Sequence, residues 1–554
     1  MGSLQLRLQP DEDRLTLGRF LEDVAERHGD RVALVSGERA IRYRELEREV
    51  CALAAGLVGA GVVKGARIAL LLGNRPEWVQ AFFAAGRVGA VLVPVNTFAS
   101  PEECDYILRH GDASLLLLQE SLEKHRYRRE LEARHPELAQ GEPGRLRCPA
   151  LPQLRRVVSL DQWEALLALG TDVPEGLLDG LAAEVGPSDD ALVIYTSGTT
   201  ALPKGVLHAQ RAPVIQSWRF AELMALAPED RVLTAQPFFW TAGIAMSLGA
   251  SLAAGACLWL EQVFDPARVL ETIERERITT LHAWPHQEQA LAEHPDAAHR
   301  DLSSLRKLRF SSALARRAGI EKDEWGADAA YGLSETFTLA SSLPATAPAH
   351  ERRACHGKAL PGMALRILDP QSGAELAPGK AGEIAVKGVT LMRGYHKVPS
   401  ELCLDAEGWF RTQDGGSVDA EGALHWSGRL SNLVKTGGAN VSPLEVEAAL
   451  SGHPALRAAL AVGVPHPTLG EALVLCAVAA EGVDPTEDDV RTTLREHLAA
   501  YKVPRRVLFF QPDELSFTGT QKIQLGPLRE AALARLRAEG AEIAGHRYEE
   551  EGRA

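Results

Sequence analysis

Residues 191–205 read ALVIYTSGTTALPKG, and the rest of the chain is organised around this stretch. An apolar, β-branched run, Leu192-Val193-Ile194-Tyr195, has the pattern of a buried strand. It opens directly into Thr196-Ser197-Gly198-Thr199-Thr200. Such a loop suits phosphate: glycine lets backbone N–H groups approach the ligand, hydroxyls donate to its oxygens, and the trailing Lys204 supplies positive charge. The spacing is not that of a Walker A loop. Taken alone, a Ser/Thr/Gly cluster is more often a plain turn.

Upstream of this stretch, apolar residues recur at helical spacing over 17–58, around a short strand at 32–35. Strands are expected at 67–72, 90–95 and 114–118, with a helix over 78–87 between the first two. That alternation predicts a parallel, doubly wound sheet. Residues 120–152 are charged and then rich in Pro and Gly, as in a solvated helix and connecting loop. Downstream, strands at 278–283 and 305–310 continue a second α/β lobe. Short strands separated by Gly/Pro turns over about 363–428 predict a small β-rich subdomain. A boundary at 429/430 then divides residues 1–429 from a smaller α+β domain, 430–554. Its first helix is announced by Ser442-Pro443-Leu444-Glu445, with Ser442 as N-cap and Glu445 completing a capping box.

With 554 residues, 45% of them hydrophobic, the chain can bury more than one core. A formal net charge of −14 gives no basic footprint for nucleic acid. The seven cysteines form no CxxC pair, so neither a zinc site nor a disulfide framework is indicated, and a reduced, cytoplasmic protein is expected. Asp11, Glu12 and Asp13 stand where a secretory signal would need basic residues, so no targeting segment is expected. The uncharged stretch 232–260 has the length of a membrane span, but Gln236, Pro237 and Gly243 favour a buried helix and strand.

Four further motifs follow the loop in order: Tyr331-Gly332-Leu333-Ser334-Glu335, then GWFRTQD at 408–414, KTGGANVSPLEVE at 435–447, and ELSFTGTQKI at 514–523. With residues 196–205 this series resembles the adenylate-forming superfamily of acyl-CoA synthetases, firefly luciferase and peptide-synthetase adenylation domains. The resemblance runs from about Leu17 to Arg529 and lies nearest the acyl-CoA synthetase branch. It implies a large N-terminal domain of doubly wound α/β lobes with a β-rich subdomain, and a small mobile C-terminal domain.

The resemblance also implies chemistry: a carboxylic acid, fatty acids included, reacts with ATP to give acyl-AMP and pyrophosphate, and CoA then takes the acyl group. ATP, Mg²⁺ and CoA are the implied cofactors. Thr196, Ser197, Gly198, Thr199, Thr200 and Lys204 would hold the β- and γ-phosphates. Tyr331 would pack on adenine beside Gly332, Ser334 would replace the usual Thr, and Glu335 would bind Mg²⁺ as a hard oxygen ligand. Asp414 would accept from both ribose hydroxyls, and Arg429 would contact ribose or phosphate. Lys522 would bridge the carboxylate and the α-phosphate, so that Lys522, Glu335 and Thr200 act in catalysis. Gly437 and Gly438 would pass the pantetheine arm of CoA, and Ser431 stands at the hinge. Trp240, Gly243, Trp284, Ser312 and Ala313 fall at the acid pocket. The two indoles there would shorten or gate it, favouring a medium-length, branched or cyclic acid over a long fatty acid.

Ala201, Gln413 and Gln521 replace family glycines, and Ser431 replaces the usual Asp or Lys. Two alternatives stay open: an acyl-AMP ligase that loads a carrier protein, sharing the first step and differing in the thiol acceptor, and a degenerate binder of nucleotide or acyl-adenylate, which these substitutions favour slightly. A homodimer or an acyl carrier protein is a further partner to consider.

Overall fold

The computed structural model describes residues 12–196, 202–430, 434–511, 514 and 525–549. Its first sheet has seven strands, ordered Gly394–Tyr395, Lys204–Ala209, Asp190–Thr196, Val91–Pro94, Arg67–Leu71, Leu115–Leu118 and Arg156–Ser159. From Asp190–Thr196 onward the strands run parallel, and the two at the other edge are antiparallel. The central strands are buried on both faces, which is why they read as unbroken apolar runs rather than alternating ones.

The crossover helix Pro76–Arg87 begins with Pro at its first turn and is buried on nearly every face. Its Trp78 packs on Phe82 and Phe238, while Phe83 stacks on Phe20 from helix Leu17–His28. Each such buried aromatic contributes on the order of 2–3 kcal/mol by removing apolar surface from water. Helix Leu17–His28 follows from its sequence: Thr16 Oγ1 caps Arg19 N, and Leu17, Phe20, Leu21 and Val24 form one buried stripe.

A second sheet orders Thr280–His282, Arg231–Thr234, Cys257–Leu260, Val32–Ser36 and Arg39–Arg42, all parallel except the last pair. The uncharged stretch 232–260 resolves into strand, π-helix Gly243–Gly249, helix Ala250–Ala254 and strand. Among the described residues no helix is long and apolar enough to cross a membrane. A strand expected at 305–310 does not form: Lys307 makes one isolated bridge to Thr280, and Arg309 turns to pair with Glu288. The β-rich region appears as an antiparallel sheet of Met363–Leu368, Gly382–Gly388, Phe410–Val418 and Leu424–Arg429.

Beyond residue 434 a separate sheet pairs Ala439–Val441, Val434–Thr436, Gly470–Ala479 and Leu456–His466, with Arg506–Phe509 parallel to Gly470–Ala479. Helices Glu487–His497 and Leu525–Ala538 cover its two faces through Val490 and Leu494 on one side and Leu528, Ala532 and Leu536 on the other. The capping box expected at Ser442 is absent. Ser442 stands before Pro443 at the helix start, but its hydroxyl makes no capping bond, and Glu445 is drawn to Lys502 instead. All seven cysteines are free.

Candidate active site

Strand Asp190–Thr196 pairs on one side with the strand that follows it in sequence. The chain returns antiparallel as Lys204–Ala209, with Thr196 opposite Lys204, which fixes the lysine at the end of this strand pair. Ser197, Gly198, Thr199, Thr200 and Ala201 lie outside the described residues, as do Ser431, Gln521 and Lys522.

Thr196, Lys204, Ser334, Glu335, Tyr395 and Arg429 line one cavity of 590 Å³. Tyr395 donates its hydroxyl to Glu335 Oε1 (2.8 Å), and Lys204 Nζ sits 4.9 Å from the Tyr395 ring centroid. Burial raises the pKa of Glu335, opposed by the Tyr395 hydrogen bond and by the charges of Arg429 and Lys204.

The segment bearing Glu335 is held from behind. Buried His208 donates Nε2–H to the Ser334 carbonyl (2.8 Å), and Gln216 Nε2 donates to the Thr336 and Leu339 carbonyls. Burial lowers the His208 pKa to about 4, consistent with a neutral ring whose Nδ1 has no partner. Phe337 and Thr338 both adopt positive φ, and a Cβ at Gly332 would stand 1.7 Å from the Thr338 carbonyl oxygen. Only glycine fits there, which gives the motif's glycine a local reason.

Asp414 and Arg429 face each other across strands Phe410–Val418 and Leu424–Arg429, with Arg429 Nε 3.5 Å from Asp414 Oδ1. Tyr331 donates its hydroxyl to Asp414 Oδ2 (2.8 Å). The buried Oδ1 has Arg429 as its ion-pair partner but no short hydrogen bond, and burial raises the Asp414 pKa against the attraction of Arg429. A buried carboxylate oxygen left this way is poised to accept from a ligand hydroxyl. Gln413 adopts a left-handed conformation (φ 60°), which favours glycine.

A second cavity of 590 Å³ is lined by Phe239, Trp240, Trp284, His286, Gly437 and Tyr501, among others. Trp240 meets Trp284 edge-on at 6.3 Å and Tyr501 edge-on at 6.0 Å. Gly438, at φ 85°, lies so close to the Trp284 indole that a Cβ would be 2.6 Å from its Cε3. The expected pocket residues thus divide. Trp240 and Trp284 line the cavity, whereas Gly243, Ser312 and Ala313 are not among its walls. Gly243 packs on the Pro237 carbonyl, and Ser312 Oγ caps Ala315 N at the start of helix Ala313–Arg317.

Tyr395, His208, Gln216 and Tyr501 escaped the sequence reading. None stands in a local pattern that points to its partner, and each is identified only by the contact it makes. Among the described residues one other trio, His135, Glu137 and Cys148, brings ligand atoms within 4.8 Å of one another. His135 Nε2 is already paired with Asp105 at 2.9 Å, and burial holds the Cys148 thiol above its usual range, which disfavours the thiolate a metal needs.

The family model described as AMP-binding enzyme matches residues 21–396. The chain belongs to that family. The model for the AMP-binding enzyme C-terminal domain matches residues 445–522. Feruloyl-CoA synthase of Amycolatopsis sp is 34% identical to this AMP-binding enzyme over 519 residues, covering 90% of this chain and 95% of the relative. Amide bond synthetase McbA from Marinactinospora thermotolerans has a similar structure, with TM-score 0.74 and 27% identity over 93% of this chain and 99% of that one. A double mutant of o-succinylbenzoate CoA synthetase from Bacillus subtilis, solved with its product analogue OSB-NCoA, aligns at TM-score 0.71 and 26% identity, covering 92% and 98%.

Proposed function

We propose that this enzyme is an AMP-forming acid:CoA ligase whose acid is cyclic, aromatic or branched. The acid carboxylate attacks the α-phosphorus of ATP, the bond to the β-phosphate oxygen breaks, and acyl-AMP and pyrophosphate form. CoA thiol then attacks the acyl carbon, AMP leaves, and the thiol proton passes to solvent. The reading rests on one observation above the others: buried Asp414 is paired with Arg429, and Arg429 lines a cavity that also gathers Lys204 and Glu335.

In this reading Thr196 to Thr200 and Lys204 hold the triphosphate, Asp414 accepts from ribose, and Lys522 bridges the reacting anions. The half-buried Glu335 carboxylate, its pKa raised, fits a hard divalent cation: it would hold Mg²⁺, which offsets charge on the leaving pyrophosphate. In this reading a first domain ends near residue 430. Trp240 and Trp284 narrow the acid cavity and give it aromatic walls, which suits a cyclic or aromatic acid such as that named for the feruloyl relative.

The test is pyrophosphate release from ATP and Mg²⁺ across straight-chain, branched and aromatic acids, with Lys522→Ala as control. Acid-dependent release that collapses in the variant and accelerates with CoA supports the ligase. Acceleration by a phosphopantetheinylated carrier protein or by an amine, but not by CoA, reassigns the acceptor. Tight ATP binding with no release across the panel replaces the reading with a non-catalytic binder.

A further inference from the structure

One short segment of the C-terminal sheet body rests on the first domain through a set of buried polar contacts that the reaction chemistry does not require. Ser100 Oγ donates to the His497 carbonyl (2.9 Å), and Ala499 N–H donates to Glu103 Oε2 (3.1 Å). Asn96 Nδ2 donates to the Tyr501 hydroxyl (3.3 Å), and the Tyr501 ring meets Trp240 edge-on. At the centre Lys502 Nζ pairs with Glu103 Oε1 and, at 2.6 Å, with Glu445 Oε1. The three side chains are only 3%, 9% and 5% exposed.

The partners are not equivalent. Glu445 and Lys502 belong to the same C-terminal body, so their pair travels with it. Glu103 belongs to helix Pro101–His110, where it also accepts from Ser100 N–H in a capping box. A buried ion pair adds little net stability over an apolar contact, but removing one partner is expensive because the other charge stays buried. Such a pair therefore discriminates strongly between positions of the body that carries it. Glu103 and Ala499 can meet only when residues 497–502 rest on 96–103. In that same position Gly438 abuts Trp284 and Tyr501 closes on Trp240.

We propose that Glu103 and Lys502 are a positioning pair that selects the closure in which the Gly437-Gly438 turn faces the acid cavity, and so supports acyl transfer to thiol rather than adenylation. This rests on the ligase reading above. Neither residue lines the cavity that gathers Lys204, Glu335 and Arg429, and neither touches the reacting atoms in this reading.

Glu103→Gln keeps an acceptor for the Ser100 cap and removes the charge. Three readouts are compared with the unmodified chain: acid-dependent ATP–pyrophosphate exchange, single-turnover transfer from preformed acyl-AMP to CoA, and amide hydrogen exchange. The expected result is exchange of pyrophosphate within twofold of the parent, transfer slowed at least tenfold, and faster deuteration of 434–441 and 497–503 with Leu456–His466 unchanged. Both half-reactions slowing alike with a lower Tm would mean a merely structural contact, and unchanged transfer with unchanged deuteration would also overturn the proposal. Asn96→Ala, which removes the Tyr501 contact at the edge of the same interface, is the second variant and should move transfer and deuteration in the same direction by less. The deuteration readout needs no substrate, so a chain that activates no acid but still loses protection at 497–503 separates failure of the ligase reading from failure of the pair.

Discussion

Replacing Gly438 with alanine tests whether the turn presses on the acid cavity as the geometry requires. Gly437 and Gly438 both have positive φ, 56° and 85°, so alanine at either carries a similar backbone penalty of about 1–2 kcal/mol. They differ in their surroundings. A Cβ on Gly437 meets nothing closer than Leu469 Cδ2 at 3.5 Å, an ordinary contact, whereas one on Gly438 lands 2.6 Å from Trp284 Cε3 and 2.7 Å from Cζ3. Trp284 cannot simply swing aside, because it lies against Trp240. Forcing it off its rotamer costs about 0.5–1.5 kcal/mol, and loosening the aromatic pair costs a similar amount. The excess for Gly438→Ala over Gly437→Ala is therefore about 2 kcal/mol, near thirtyfold in the population of this closure. The assay is single-turnover acyl transfer to CoA divided by the adenylation rate for each variant. Equal ratios in the two variants would refute the argument, since they share the backbone effect and differ only in the indole contact.

Other consequences can be read from single contacts. Tyr395→Phe removes the donor that lowers the Glu335 pKa, so the acid limb of the pH–rate profile for adenylation should move to higher pH; an unmoved limb would separate Glu335 from that titration. Gln413→Gly relieves a left-handed residue and should raise stability by up to about 1 kcal/mol in urea titration, with activity unchanged. His208 and His282 are buried with pKa values lowered from 6.5 to about 4. Their neutral forms are favoured by folding, so each contributes about 3 kcal/mol above pH 6.5 that is lost as pH falls towards 4 and the unfolded chain takes up the protons. His208→Gln, which retains a donor for Ser334, should flatten the fall in urea midpoint between pH 7 and 4.5; an identical slope in parent and variant would reject the assignment.

The sequence disclosed the parallel strands because burial on both faces leaves runs such as Leu115–Leu118 wholly apolar. It disclosed the order of the motifs for a similar reason, since each is a contiguous string. It did not disclose that Lys204 begins a strand, because the antiparallel return is set by pairing with Thr196 rather than by the composition of 204–209. The expected strand at 305–310 failed when Arg309 found Glu288, a tertiary partner that no local pattern names. Ser442 read as a cap by local rules, yet its partner Glu445 is taken by Lys502, 57 residues away. The same limit hid Tyr395, 60 residues from Glu335, and Glu103, 399 residues from Lys502. Residue type announces the chemistry a side chain can do, and only the folded chain assigns it a neighbour.

The two-residue strand Gly394–Tyr395 has an importance out of proportion to its length. It covers the outer edge of Lys204–Ala209, pairing Gly394 with Leu207 and Tyr395 with Val206, and the ladder is continued by Arg393 N–H to Leu207 O and His396 N–H to Gly205 O. A chain shortened to end before Arg393 would leave that edge bare, presenting unpaired backbone carbonyls on Gly205 and Leu207 as a template for another molecule. Dissecting this enzyme into its lobes would thus yield self-association before it yielded an independent nucleotide-binding fragment, and light scattering of the truncated chain would register it directly.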